Sequence, residues 1–115
     1  MPFVKPAEGQ RFESYPGIIR RVLLSKEAGA QALSIREVEL QPGAAVPLHV
    51  HPVEKAVIFL EGQVEVVLGD TQATAGPNHA LLVPPGVKHR LINASTQRVL
   101  IITIFPVAQV SRSLL

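Results

Sequence analysis

The sequence predicts an all-β protein, a sandwich or barrel built from short strands. Ten prolines and eight glycines interrupt the chain every few residues, and no long segment repeats its apolar residues at the helical period. The stretches between these interruptions are short and rich in β-branched residues; they span 17–24, 32–40, 56–60, 63–68, 80–83, 89–92 and 98–105. Short strands at regular spacing, separated by turn residues, are typical of β-sandwiches and barrels.

Two glycine-containing pairs are predicted to turn the chain between neighbouring strands. Glu61-Gly62 separates the runs 56–60 and 63–68, as the turn of a hairpin would, and Gly69-Asp70 forms a second tight turn. Glycine suits such positions because, without a Cβ, it readily adopts a positive φ. We therefore expect both pairs at strand ends.

One run changes the parity of its apolar residues halfway. Leu33 and Ile35 would face one side of a strand, whereas Val38 and Leu40 would face the other. A β-bulge near Arg36-Glu37 would return all four side chains to the inside. The sequence therefore predicts an irregular strand here.

Two further runs, 57–60 and 99–102, are apolar at every position. A strand with one solvated face would alternate, so both faces are predicted to be covered, by the barrel interior and by a second sheet or another subunit. Residues 1–16 are predicted to form an N-terminal arm. So much apolar surface exceeds what one short barrel interior can absorb, which predicts a homodimer.

The bulk properties limit the classes of function. A chain of 115 residues is predicted to be a single domain, 1–115, with residues 111–115 as a loose tail. Eleven scattered basic residues against nine acidic ones, with 4% aromatics, argue against a nucleic-acid partner. The lack of cysteine excludes disulfides and thiol chemistry. No segment resembles a signal peptide or a membrane span, so we expect a cytoplasmic protein with no membrane partner.

Three of the four histidines lie in two short segments, His49-Val50-His51 and, about forty residues later, His89. Alternate residues of a strand face the same side, with Cα atoms roughly 6–7 Å apart. Both imidazoles of the first segment can therefore reach one ion, and neutral imidazole is the commonest metal ligand in proteins. The arrangement predicts a metal site built on a sheet.

The order of these residues resembles the two signature motifs of the cupin superfamily. The matching positions of the first motif are Gly43, His49, His51, Glu54 or Lys55, and Gly62; those of the second are Asn78, Pro84-Pro85-Gly86, His89 and Asn93. The resemblance implies a cupin-like jelly roll, or double-stranded β-helix barrel, with a metal centre inside one end and usually a homodimeric state. It implies His49, His51 and His89 as metal ligands.

Two positions depart from the family pattern. The family usually places a glutamate six residues before the glycine of the first motif, where this chain has Lys55, and the carboxylate stands one place earlier, at Glu54. A bulge permitted by Pro52 would turn Glu54 inward as a fourth metal ligand. In the second motif Asn78-His79 replaces glycine-aspartate; asparagine tolerates a left-handed turn, and His79 is then a solvated turn residue.

A charged Lys55 facing a divalent ion about 5 Å away would be repelled by several kcal/mol at an effective dielectric of 20. Lys55 therefore either swings outward, or is neutral, or is bridged to the ion by an anionic ligand. We expect its amine to reach solvent. The sequence leaves these alternatives open.

These observations favour a metal-dependent enzyme acting on a small organic substrate, with one divalent transition metal per chain: iron, manganese, nickel, zinc or copper. We expect first a non-haem iron dioxygenase, hence an oxidoreductase, because some members of the family use a histidine-only iron centre; an isomerase or lyase that uses the metal as a Lewis acid is the second reaction class. The alternatives are a non-catalytic barrel that binds a small molecule or metal for sensing or storage, and a barrel whose metal site has decayed, with Lys55 as the sign of the loss.

Overall fold

The structure is a computed structural model that describes Phe3 and residues 10–114. Its strands are β1 (Gln10–Tyr15), β2 (Ile18–Leu24), β3 (Ser34–Leu40), β4 (His49–Val50), β5 (Lys55–Glu61), β6 (Val64–Leu68), β7 (Thr71–Ala75), β8 (Ala80–Val83), β9 (His89–Ile92), β10 (Val99–Phe105) and β11 (Ser113–Leu114). A short 3-10 turn, Lys26–Ala28, follows β2. The predicted all-β class is confirmed.

The strands form two antiparallel sheets that face each other. The first has the order β1-β2-β3-β10-β5-β8 and the second the order β11-β4-β9-β6-β7. From β3 onward the chain alternates between the sheets, apart from the β6–β7 hairpin. This repeated crossing is the winding of a jelly roll.

The two predicted turns have different outcomes. Gly69-Asp70 is the two-residue loop of the β6–β7 hairpin, with Leu68 paired to Thr71, as predicted. Glu61-Gly62 does not close a hairpin, because β5 pairs with β10 and β8 whereas β6 pairs with β7 and β9. This turn instead carries the chain from one sheet to the other, which a positive φ at Gly62 permits.

The predicted bulge near Arg36-Glu37 was wrong. β3 pairs with β10 without interruption from Leu40 to Ser34, and the irregularity lies in β2, between Val22 and Leu24. Arg36 therefore faces the barrel interior together with the alternate residues of β3. Arg36 lines the cavity that His49, His51 and Lys55 also line, so the strand accommodates it without a bulge.

The interior is apolar at one end and polar at the other. Along β2, β3 and β10 the inward residues begin with Ile18, Leu40 and Val99, which are fully buried. Further along the same faces stand Arg20, Arg36 and Thr103, because side chains of alternate residues share a face. The apolar end supplies the hydrophobic core, and the polar end receives the histidines.

The chain ends also differ from expectation. The predicted arm, residues 1–16, lies partly outside the described residues, and its described part includes β1, which pairs with β2. The predicted loose tail was wrong for its described part, because Ser113–Leu114 pairs with β4. Within the described residues no helix is long and apolar enough to span a membrane.

Candidate metal and ligand site

The three predicted histidines meet inside the polar end of the barrel. His49 on β4 is paired directly with His89 on β9, and His51 follows β4. The centroids of the rings are 4.8 Å apart for His49 and His51, 4.1 Å for His49 and His89, and 5.5 Å for His51 and His89. Their candidate ligand nitrogens all lie within 4.8 Å of one another, so one ion can contact all three.

Local backbone structure sets this arrangement. The Pro84-Pro85-Gly86 segment turns the chain, with Val87 N–H donating to the Pro84 carbonyl at 3.3 Å, and so directs the chain into β9. The Gly86 N–H donates to the His51 carbonyl at 2.9 Å. The two segments that carry the histidines are thereby tied together.

Each imidazole is oriented by a backbone carbonyl. The Nδ1 atoms of His49, His51 and His89 lie 2.8, 2.8 and 3.0 Å from the carbonyl oxygens of Pro47, Ser111 and Val87 respectively. A carbonyl oxygen only accepts hydrogen bonds, so each Nδ1–H donates and each Nε2 keeps its lone pair. This is the arrangement of metal-binding histidines, in which an outer partner fixes the ring and its tautomer.

Burial keeps the three rings neutral. It lowers the pKa of His49 to about 3 and the pKa values of His51 and His89 to about 4; the positive charge of Lys55 contributes in the same direction, while the hydrogen bonds to carbonyls oppose it. Neutral imidazole is the form that binds metals. His51 Nε2 is buried and has no hydrogen-bond partner within the described residues. These residues therefore fit a divalent transition metal.

Glu54 is not part of this cluster. Its side chain is exposed on the outside of the barrel, where it borders a surface groove with Leu33 and Pro106. β5 pairs with β8 from Lys55 onward without a register shift, so the slip that would have turned Glu54 inward does not occur. The expectation of Glu54 as a fourth ligand is corrected accordingly.

Lys55 occupies the inward position instead. Its side chain is buried, which corrects the expectation that the amine reaches solvent, and its Nζ donates to His89 Nε2 at 3.1 Å. Burial, followed by the positive charges of Arg20, Arg36 and Arg112, lowers the pKa of Lys55 to about 7. The sequence left open whether Lys55 swings outward, is neutral or is bridged to the ion by an anionic ligand. The outward orientation is excluded in this structure. A metal on His89 Nε2 requires the amine to rotate aside.

The site contains two arginines that were not predicted from the sequence. Arg20 and Arg36 line the same cavity as His49, His51 and Lys55. The signal was present in the spacing, since Arg36 shares its parity with Val38 and Leu40, which are buried in the core. The assumption of a bulge obscured it.

The fold and the site define a small jelly-roll protein with a buried three-histidine cluster. Residues 36–105 match the Cupin domain family, and the chain belongs to that family. The predicted resemblance is thus confirmed.

One curated relative and several solved structures are similar to the chain. The tetracenomycin polyketide synthase protein TcmJ of Streptomyces glaucescens is 31% identical over 78 residues, which cover 67% of this chain and 52% of the relative. The chain therefore spans about half the length of that protein.

Among solved structures, the polyketide cyclase RemF of Streptomyces resistomycificus superimposes with a TM-score of 0.87 at 24% identity, over 100% of this chain and 85% of RemF. The Lactobacillus farciminis oxalate decarboxylase formate complex gives 0.85 at 22% identity, over 95% and 34% of the two chains. Bacillus subtilis oxalate decarboxylase, described by its Mn(II) centres, gives 0.85 at 18% identity, over 96% and 31%. These similarities show the shared fold.

Proposed function

We propose that the protein is a metal-dependent enzyme that acts on a small organic substrate beside a three-histidine centre. The observation that carries the proposal is the common orientation of His49, His51 and His89, whose Nδ1–H groups all donate to backbone carbonyls. The three Nε2 atoms therefore point into one buried place, where that of His89 becomes available once the Lys55 amine rotates aside. Of the two reaction classes expected from the sequence, we favour an isomerase or lyase over an oxygenase.

The surroundings of the cluster support this choice. Three neutral imidazoles leave a divalent ion its full charge, so a bound metal would polarise a substrate oxygen or acidify a bound water. The side chains of Arg20, Arg36 and Lys55 line the same cavity and would stabilise negative charge that develops on such an oxygen. The relatives named above are a polyketide synthase protein, a polyketide cyclase and oxalate decarboxylases.

The alternative is a barrel that binds a metal or small molecule without turnover. The small size of the cavity favours it: the space among the histidines and arginines is about 20 Å³, roughly enough for one water molecule. A substrate larger than this must displace side chains.

We also propose that the protein is a homodimer and that it is located in the cytoplasm.

The metal content of the purified protein tests whether the three histidines bind an ion. The purified protein should contain about one transition metal per chain by elemental analysis, whereas the double variant His49→Ala/His89→Ala should contain none. The variant His79→Ala is the matched control, because this histidine is exposed in a turn and its loss should not change the metal content. Full occupancy in the double variant would contradict the proposed centre.

Turnover separates the enzyme from the binding protein. Protein loaded in turn with iron, manganese, nickel, zinc and copper is incubated with a panel of small carboxylic acids and β-dicarbonyl compounds, and product is followed by mass spectrometry. Conversion without oxygen consumption supports the lyase or isomerase. Conversion coupled to oxygen consumption assigns an oxygenase instead, and a loaded protein that converts nothing favours the binding module.

A further inference from the structure

We propose that the molecule bound at this site carries a negatively charged oxygen group, a carboxylate or an enolate, held by Arg20 and Arg36, with Arg112 adding positive charge nearby. That this molecule is a substrate rests on the proposed function; that the site takes an anion rests on the arginines alone.

The three arginines approach the histidine cluster from different segments. Arg20 on β2 and Arg36 on β3 line the cavity directly. Arg112 immediately follows Ser111, whose carbonyl holds His51. Arg112 and Arg36 both lower the pKa of Arg20 by charge repulsion, so the three guanidinium groups lie close enough to repel one another.

The partners of these arginines are neutral. Arg20 Nε donates to Ser14 Oγ at 3.0 Å, and Arg112 donates to Tyr15 Oη at 2.6 Å. The guanidinium of Arg36 lies 5.5 Å from the centroid of the Phe105 ring. One terminal nitrogen of Arg112 is buried and makes no hydrogen bond within the described residues.

No carboxylate compensates this charge in the described part of the chain. Its ion pairs join Arg21 to Glu37 and Arg98 to Glu39 and Glu61, on other surfaces. Burying charges without an opposite charge is costly, and the cost is visible at Arg20, where burial and then repulsion lower the pKa to about 10. An anion from outside the chain would relieve it.

The shape of the site shows where such a molecule fits. Arg36 lines both the small inner cavity and a second one of about 200 Å³, which Ser34 also lines. The Ser34 hydroxyl is buried and has no hydrogen-bond partner within the described residues. The exposed Glu27 lies at the edge of this outer cavity. The charged end of a ligand thus fits against the arginines, and its organic part fits in the outer cavity near Ser34.

Guanidinium groups are suited to this task, because their planar forks bind carboxylate oxygens in pairs. The test uses malonate as probe and the uncharged malonamide as its control. Binding is measured by calorimetry on protein freed of metal with a chelator. Wild-type protein should bind malonate and not malonamide, and the Arg36→Gln and Arg20→Gln variants should each weaken malonate binding at least about tenfold. Arg98→Gln, which removes an exposed and ion-paired arginine, should leave the affinity unchanged.

Two results would overturn the inference: equal binding of malonamide and malonate, or unchanged malonate affinity in both variants. Binding that requires metal and ignores Arg36 would equally overturn it, because the anion would then bind the ion alone. Circular dichroism establishes whether each variant is folded. Because the two variants lie on different strands, the inference can still be tested if one of them fails to fold. Metal content is measured in parallel. If the protein binds malonate but never retains metal, the proposed metal-dependent enzyme is contradicted, whereas the proposed anion site is supported.

Discussion

Lys55 is the residue whose environment is least expected for its type. It is buried beside His89 and within the field of three arginines. Burial and repulsion both oppose the ammonium form, so the pKa falls from its ordinary value of 10.5 to about 7. Between these two pH values the unfolded chain carries a proton that the folded protein does not. Stability therefore decreases as the pH falls from about 10.5 to about 7, and the penalty is complete below that range.

Replacing this amine should stabilise the metal-free protein. The Lys55→Met variant keeps an unbranched apolar side chain of nearly the same length but removes the buried charge, so at pH 7 its free energy of unfolding should exceed that of the wild type by a few kcal/mol. The gain should shrink as the pH is raised toward 10. Urea unfolding at several pH values in the presence of a chelator measures it. Lys88→Met, at an exposed lysine, is the control, and a gain that does not vary with pH would contradict the explanation.

The turn between β5 and β6 shows how one element depends on close packing. Gly62 has a φ of 81°, and a Cβ added there would lie 2.5 Å from the carbonyl oxygen of Arg98 and 3.1 Å from Val99 Cγ2. Gly43 has nearly the same φ, 82°, but a Cβ added there would meet nothing within 4 Å. The two positions therefore share the conformational cost of a side chain and differ only in the steric cost.

Alanine at these two glycines separates the costs. Gly43→Ala should destabilise the fold by about 1 kcal/mol, the cost of a left-handed backbone for an ordinary residue. Gly62→Ala should destabilise it by at least about 2–3 kcal/mol, because the Arg98 carbonyl must also move. Urea unfolding of both variants gives the difference. Equal losses would show that the β5–β6 turn relaxes freely.

At the scale of the whole molecule, one outer surface is largely apolar. Apart from Glu61 at the end of β5, which is ion-paired with Arg98, the outward residues of β10, β5 and β8 are apolar: Leu100, Ile102, Ile104, Ala56, Ile58, Leu60, Ala80 and Leu82. Ile58, Leu60 and Leu82 are exposed by 36%, 48% and 56%. The sequence predicted that this face of the strands is covered by a second sheet or another subunit. In the described part of the single chain, no element packs against it. A second copy of the same largely apolar face would complement it.

We expect the protein to be a dimer by light scattering at micromolar concentration. A charge placed in this face, by Ile58→Lys or Leu82→Lys, should shift the protein toward the monomer, because the ammonium would have to be buried at the contact. Gln72→Lys on β7, in the other sheet, is exposed as well and should leave the mass unchanged. A monomeric wild-type protein would refute the proposed dimer.

The strands that could be predicted from the sequence are those with a strong hydrophobic pattern. The strands with one buried face were predicted within a few residues, because alternation and β-branched runs mark them. β7 was missed because Thr71, Gln72, Ala73 and Thr74 are all exposed and show no apolar alternation. β11 is two residues long and is defined only by its pairing with β4.

Spacing alone predicted only part of the candidate site. Strand alternation puts His49 and His51 on the same side, and the resemblance to the cupin motifs added His89. Glu54 and Lys55 could not be distinguished, since one residue of register exchanges their faces. The arginines were missed because an inward-facing, half-buried guanidinium goes against the usual exposure of charged residues, and because the bulge predicted from the parity of Leu33 and Ile35 would have turned Arg36 outward.

The hydrogen bond from His51 to the Ser111 carbonyl spans sixty residues of sequence and depends on the short β11, whose two residues are exposed. Such a pairing frays more readily than the long strands of the larger sheet. On warming, the His51 ring should therefore lose its orientation while the barrel is still folded, and an ion held there would dissociate below the melting temperature. Loss of the bound ion, rather than unfolding of the barrel, would then set the upper working temperature of this protein.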